Sequence, residues 1–544
     1  MTEPRLTLHG VSYVLPTGKT LFSDLSASFG AQHTGLVGRN GVGKSLLARI
    51  LAGETAPSSG SVSRAGRVHH LAQDLLQTTS RQTVAALAGL GPVFAALERI
   101  EQGSGADCDY ELLAERGDTC WNMRQQLQAA LHAAQLPGLD GDSCAQQLSC
   151  GQAMRVALVG AQLSGTDFLI LDEPSNHLDA AHRTALATQL RHWRGGLLLI
   201  SHDRSLLNAM DCIAELTSSA LTFYGGSYDF YLSSKQQQEQ AALQTLAQAK
   251  LKRDRQERSL HEQHQRQQCQ QAAANRAGKN ANQAKLLLGT QKARSQATAG
   301  RLAQQQTLAR EAAQQRVREA AQAIDWQAAS IYLHLPPLQE LLPPERVVAE
   351  LAAVQLPWSP HLPAISLCLQ GGQRIAITGP NGCGKSTLLR VLAGAIEPLQ
   401  GRRQMSASLA WLDQRLSGLD DELSVIAQLQ QAAPRTPQGL QRMRLAQLGL
   451  DASHMDQPCR LLSGGERLKA ALACALYRDA APQMLMLDEP DNHLDLPSQQ
   501  ALQAMLCQYP GTLVLVSHDE ALLQALQLTH RLVISAAGWE LLAV

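Results

Sequence analysis

Two stretches of this chain, GRNGVGKS (Gly38–Ser45) and GPNGCGKS (Gly379–Ser386), have the composition of a loop that wraps phosphate. Gly38, Gly41 and Gly43, and their counterparts Gly379, Gly382 and Gly384, let the backbone curl with its N–H groups pointing inward. A helical pattern follows each loop, and the N-terminus of a helix favours anions. Lys44 and Lys385 are then expected to reach the terminal phosphates of a nucleotide, and Ser45 and Ser386 to ligate Mg²⁺. Asn40, Asn381 and Thr387 belong to the same nucleotide-binding set.

Downstream, Phe168–Leu171 and Met484–Leu487 are short apolar runs that read as buried parallel strands, each ending in two acids. Asp172 and Asp488 suit a Mg²⁺ shell; Glu173 and Glu489 suit the orientation or deprotonation of an attacking water. A third apolar run precedes His202 and His518, which can hydrogen-bond a γ-phosphate without acting as the base. Gln73 and Gln414, each 29 residues after the phosphate-loop lysine, are expected to sense Mg²⁺ and nucleotide.

These residues recur because the chain is a repeat. LSCGQ (Leu148–Gln152) is echoed by LSGGE (Leu462–Glu466), and LILDEPSNHLD (Leu169–Asp179) by LMLDEPDNHLD (Leu485–Asp495). The first copy spans 105 residues from Lys44 to Ser149 and the second 78 from Lys385 to Ser463, so the first carries about 27 more, expected within the helical arm 83–136. Residues 1–231 and 331–544 are read as two α/β domains, and 232–330 as a long helical hairpin between them. No glycine occurs between Gly226 and Gly278 and no proline between Pro174 and Pro336. One long helix is expected over about 232–275, with a turn marked by Gly278, Gly289 and Gly300.

In this order, the phosphate loop, the glutamine, the LSxGx element, the acidic strand and the histidine resemble the ATP-binding-cassette ATPases. The resemblance implies two tandem P-loop ATPase domains binding ATP and Mg²⁺, with each nucleotide between the phosphate loop of one cassette and the LSxGx signature of the other. Site one would combine Lys44, Ser45, Gln73, Asp172, Glu173 and His202 with Ser463, Gly465 and Glu466. Site two would combine Lys385, Ser386, Gln414, Asp488, Glu489 and His518 with Ser149, Gly151 and Gln152. Both sets are complete, so both sites are expected to hydrolyse ATP. Cys150 replaces the first signature glycine, implying altered backbone geometry at site two. Tyr13 is the expected adenine-stacking aromatic of the first cassette; the second offers Leu356 or Trp358.

Tandem cassettes, EPxNHLD in both, and a helical linker entered through Tyr224–Tyr231 are similar to the soluble F-type cassette proteins. That likeness implies a monomer that binds the ribosome at the exit-tRNA site when its cassettes are closed on ATP. The linker would then point toward the peptidyl-transferase region and P-site tRNA, and hydrolysis would release the protein. Rescue of stalled ribosomes and antibiotic protection both fit this picture.

Charge supports a polyanionic partner only locally. The 544 residues carry 47 basic and 47 acidic side chains, yet Lys235–Asp325 holds 16 basic against 7 acidic. Between Gln263 and Arg310 there is no acid, while Arg266, Arg276, Lys279, Lys285, Lys292, Arg294, Arg301 and Arg310 recur among Gln and Asn. That pattern suits phosphate backbones. Without aromatics to stack bases, recognition of structured RNA by shape is expected, and DNA is not. The eleven scattered Cys form no C-x-x-C pair, no stretch approaches a bilayer span, and Met1–Arg5 does not read as a secretory signal, so a cytoplasmic protein is expected. The chain ends 26 residues after His518, so the extra C-terminal coiled segment of some F-type proteins is not expected. Two other readings stay open: the energy module of a transporter whose spans lie on another chain, and a DNA-repair or chromosome ATPase.

Overall fold

The computed structural model describes residues 5–72, 82–116, 118–176, 178–280, 304, 307–308, 310–321, 343–358, 362–492, 494–535 and 538–544. Side chains are not described at 115–119, 260, 264, 267–268 and 270–280. Two compact units result: residues 1–230 with 330–544, and residues 231–329.

The first unit holds both copies of the repeat. Each is built on a six-stranded sheet, ordered Val68–Leu71, Phe168–Asp172, Gly196–Ile200, His33–Gly38, Cys212–Leu216 and Leu221–Gly225 in the first copy. The corresponding order in the second is Leu409–Leu412, Met484–Asp488, Thr512–Val516, Arg374–Thr378, His530–Ser535 and Gly538–Ala543. All pairings are parallel except the last in each sheet. The acidic strand and the strand before the histidine are buried at every position, as expected of strands covered on both faces. A three-stranded antiparallel sheet, with Arg5–Val14 or Val347–Gln355 at its centre, completes each copy. In the first copy Leu6, Leu8, Phe22 and Phe29 of this smaller sheet share a core with Ile170, Leu198 and the helix Lys44–Ala52.

Strand order explains why residues far apart in sequence converge. The phosphate-loop strand, the histidine strand and the acidic strand are adjacent, so Gly38, His202 and Asp172 emerge at one carboxyl edge, where open α/β sheets bind ligands.

The 27 additional residues of the first copy lie between two equivalent bridges. Thr83 pairs with Cys144 and Ser424 with Pro458, each Thr or Ser 39 residues after its phosphate-loop lysine, leaving 60 positions against 33 inside. Helices Gly91–Glu101 and Asp107–Arg116 occupy the difference. Their Val93, Phe94, Leu97 and Leu113 pack with Leu127, Leu131 and Val156, so the described part of the insertion is stitched into the core over the signature helix Cys150–Leu163. A Cβ at Gly160 of that helix would come within 2.0 Å of the Ala88 carbonyl oxygen, which is why only glycine fits.

The helix Tyr228–Asn280 runs 53 residues, about 80 Å at 1.5 Å per residue, longer at both ends than the pattern suggests and continuous through Gly278. A second helix covers 310–321. Within this unit Arg310 Nε lies 3.8 Å from Glu257 Oε1, tying together helices 53 positions apart in sequence. Arg266 lies 3.9 Å from Glu262 Oε2, one turn earlier. Two of the eight basic residues of the acid-free stretch thus have carboxylate partners. Both pairs are exposed, and such pairs contribute little and are readily exchanged for phosphate. Arg276 and Lys279 lie where side chains are not described, and Lys285, Lys292, Arg294 and Arg301 lie outside the described residues. Among the described residues no helix is long and apolar enough to cross a membrane.

Candidate functional site

Each phosphate loop ends in a glycine that only a glycine can be. Gly43 and Gly384 cap their helices with φ of 104° and 95°, in the left-handed region, and a Cβ at Gly43 would meet Phe22 Cε1 at 2.9 Å. The buried lysine that follows folds back into the loop. Lys44 Nζ donates to the carbonyls of Gly38 (2.7 Å) and Arg39 (3.2 Å), and Lys385 Nζ to those of Gly379 (2.8 Å) and Pro380 (2.9 Å). Burial lowers the pKa of Lys44, while Glu173, Asp495 and Asp172 pull it the other way.

The acidic pair divides its work by depth. Ser45 hydrogen-bonds Asp172, and Ser386 Oγ donates to Asp488 Oδ1 at 3.2 Å. Burial raises the pKa of both aspartates, and these hydroxyl bonds oppose it. Asp172 Oδ1 is buried without a hydrogen-bond partner, the arrangement expected where a cation binds. Among the described residues no group of three or more His, Cys, Asp or Glu is placed to hold a metal ion.

Glu173 and Glu489 have φ of 50° and 47°, a strained conformation for residues that are not glycine. The strain aims each carboxylate at the histidine of its own cassette. Glu173 Oε1 lies 3.5 Å from His202 Nε2, and Glu489 Oε1 3.7 Å from His518 Nε2. Burial pushes the Glu173 carboxyl up to about 8 against the pull of Lys44, so this group holds a proton far more readily than an exposed glutamate. His518 is driven down to about 4 by burial and by Lys385, which leaves a neutral imidazole. Glu489 also accepts from Asn492 Nδ2 (2.6 Å) and Gln414 Nε2 (3.4 Å). Gln73 lies outside the described residues.

One cavity of about 680 Å³ gathers Asn40, Gly41, Gly43, Lys44, Ser45, Asp172, Glu173 and His202 of the first cassette with Gly464 of the second. Its apolar wall is Leu15, Leu21, Leu46 and Ile200; the ring of Tyr13, expected against adenine, lies 6.5 Å from that of Phe22. In the second cassette Leu356 is buried and Trp358 exposed.

The signatures act first on themselves. Ser149 and Gln152 close a capping box at the start of one helix, and Ser463 and Glu466 close the same box on the other. The two capping serines have nearly identical backbone angles, φ −67° and ψ 159° against φ −64° and ψ 160°, so Cys150 starts its helix as Gly464 does. The backbone expected to change around Cys150 is the same at the capping serine that precedes it as at Ser463. Gly151 and Gly465 are the positions with no room, since a Cβ would meet His182 Cδ2 at 2.5 Å or Ser498 Oγ at 2.6 Å.

The last aspartate of each NHLD is a site residue that motif chemistry does not assign. Asp495 Oδ1 accepts from Ser498 N (3.1 Å), capping its own helix, while Oδ2 accepts from Asn40 N in the opposite phosphate loop (3.0 Å). Asp179 mirrors this, accepting from His182 N (3.0 Å) and from the Asn381 N–H. Burial pushes the pKa of Asp495 up, but its bonds with Ser498 and the Asn40 N–H outweigh it and keep the carboxyl below its ordinary value. The only sequence signal was the repetition of the motif itself. Asp495→Ala is expected to remove a cap of about 1 kcal/mol and a charge-assisted bond of about 1.5–3 kcal/mol. Steady-state ATPase should fall on the order of 10–10²-fold and Asp495→Asn should fall less; equal, undiminished rates for both would rule out the latch.

Similarity to known proteins extends over most of the chain. The family model described as ABC transporter matches residues 23–176 and 362–492. The energy-dependent translational throttle protein EttA of Mycobacterium tuberculosis is 29% identical over 529 residues, covering 92% of this chain and 86% of that protein. ABC transporter F family member 4 of Arabidopsis thaliana is 29% identical over 544 residues, covering 93% and 70%. Among solved structures, an archaeal ribosome recycling factor, aABCE1, crystallised with a ribosomal stalk protein, has a TM-score of 0.60 at 18% identity, covering 98% of this chain and 90% of that one; this likeness concerns the fold.

Proposed function

From its membership of the ABC transporter family, twice over and with F-type relatives, we propose that this ATP hydrolase is a ribosome-associated translation factor. ATP, with Mg²⁺ held by Ser45, Asp172, Ser386 and Asp488, closes the two cassettes on each other through the Asp179 and Asp495 latches. The closed form binds the ribosome at the exit-tRNA site, the basic hairpin meets rRNA and P-site tRNA, and hydrolysis through Glu173 and Glu489 releases it. The chain acts in the cytoplasm as a monomer.

The observation that carries this reading is the net charge of the segment between the cassettes, 16 basic against 7 acidic residues, in a chain whose described helices include none suited to a membrane. The relative named a translational throttle supports translation over DNA metabolism. Co-sedimentation with ribosomes is the test. Binding with a non-hydrolysable ATP analogue and loss of binding with ADP are expected; indifference to both nucleotides, or co-purification with a polytopic membrane protein instead, would sink the proposal.

A further inference from the structure

The seam between the cassettes is chemically lopsided. A cavity of about 280 Å³ lies there, with His202 and His518 in its wall. Four residues after the latch aspartate the first cassette has Arg183 and the second Gln499; at two further equivalent positions Ser175 is matched by Asp491 and Arg204 by Glu520. All six line this cavity. The first cassette therefore brings cations to the seam and the second brings anions.

Arg183 is well placed to feel both sides. Its side chain is 13% exposed; Nη1 lies 3.5 Å from Asp203 Oδ2, and Nε donates to the Leu178 carbonyl at 2.9 Å. Asp203 directly follows His202, the histidine of site one. The Arg183 charge also acts on Asp491 and on His518, both in the second cassette. Asp491 is buried, and its Oδ1 has no hydrogen-bond partner. Burial pushes this carboxyl up to about 6 and Asp519 adds to the shift, while Arg183 and the Ser517 hydroxyl pull it down. The mirrored pair, Gln499 and Ser175, carries no charge. Ser175 Oγ simply sits 3.3 Å from Ser201 Oγ, and Gln499 Nε2 reaches the His202 carbonyl at 3.4 Å.

We propose that Arg183 is a positioning residue that couples the two ATP sites, joining the switch loop of site one through Asp203 to Asp491 and the switch histidine of site two. A buried guanidinium cannot be left without a carboxylate cheaply. When His202 shifts with the state of its nucleotide, Asp203 shifts too, and Arg183 must lean toward Asp491, changing the field at His518. Gln499 carries no charge and returns no comparable signal, so the two sites are inequivalent. This inference rests on ATP hydrolysis alone and is independent of the ribosome reading.

The test uses the full chain without ribosomes. Steady-state ATPase is measured for Glu173→Gln and Glu489→Gln singly, each with Arg183 intact, as Arg183→Lys, and as Arg183→Gln, the last installing the residue the second cassette already has. With a cation at 183 the two single-site rates should sum to a total at least threefold below that of the chain with both glutamates. With Arg183→Gln they should sum to its full rate, and Asp491→Ser, which installs the first cassette's residue, should behave like Arg183→Gln. Thermal unfolding checks that every variant is folded. Full summation with Arg183 intact, or an equal shortfall in Arg183→Gln and Asp491→Ser, overturns the proposal.

Discussion

Replacing Glu173 and Glu489 together by glutamine is expected to lower ATP turnover by about 10²–10⁴-fold, the usual contribution of a positioned general base. Glutamine keeps the side-chain volume and can hold the same left-handed backbone at φ 50° and 47°, but its amide cannot take a proton from water. The binding machinery is untouched, because Lys44, Ser45, Lys385 and Ser386 stand on the phosphate loops and their helices. ATP affinity should therefore change by less than a few fold. If closure on ATP creates the ribosome-binding form, the double variant should remain on ribosomes after gradient sedimentation in ATP, whereas the unmodified protein comes off as it hydrolyses. Single-turnover hydrolysis, equilibrium nucleotide binding and sedimentation separate these claims. Ordinary turnover in the double variant would remove both acids from the chemistry, whatever became of the ribosome reading.

The second large effect concerns the hairpin. Reversing Arg276, Lys279, Lys292 and Arg294 to Glu should weaken ribosome binding on the order of 10²–10³-fold near physiological salt and flatten the slope of log K against log salt by about 3 to 4 units, one per lost phosphate contact. The comparison with Arg266 and Arg310 is informative, since these two have carboxylate partners in Glu262 and Glu257. Their reversal should cost less per residue, because releasing a surface pair offsets part of the phosphate contact. ATPase without ribosomes should be unaffected in both sets, as these residues belong to a unit separate from the cassettes. An unchanged salt slope in the four-residue variant would mean that the hairpin does not touch RNA.

Much of the candidate site was legible because its chemistry is local. A phosphate loop must have glycines where φ is positive, as at Gly43 and Gly384, and a lysine at the helix start, so eight residues carry the whole signal. The paired acids sit at the end of a strand whose five residues are all buried, and an uninterrupted apolar run announces such a strand. The capping boxes were written in the sequence as well, Ser149 with Gln152 and Ser463 with Glu466, three residues apart. Side-chain direction is what short spacing does not give: the ring of Tyr13, expected against adenine, lies 6.5 Å from that of Phe22, and Leu15, Leu21, Leu46 and Ile200 line the cavity. Residue type at Cys150 also gave no hint that the serine before it has the same backbone angles as Ser463 before Gly464.

The sequence by itself determined the two-cassette plan, the phosphate-binding and acidic residues, and the concentration of positive charge between the cassettes, because each depends on residue type at short spacing. Only the tertiary structure decided how the halves meet. Asp495 reaching Asn40 over 455 positions, Gln499 reaching the His202 carbonyl over 297, and the unequal company of Arg183 and Asp491 involve residues that no periodicity links. Their roles arise from strand order, which brings distant chain segments to one edge, and from the face-to-face pairing of two similar but unequal surfaces.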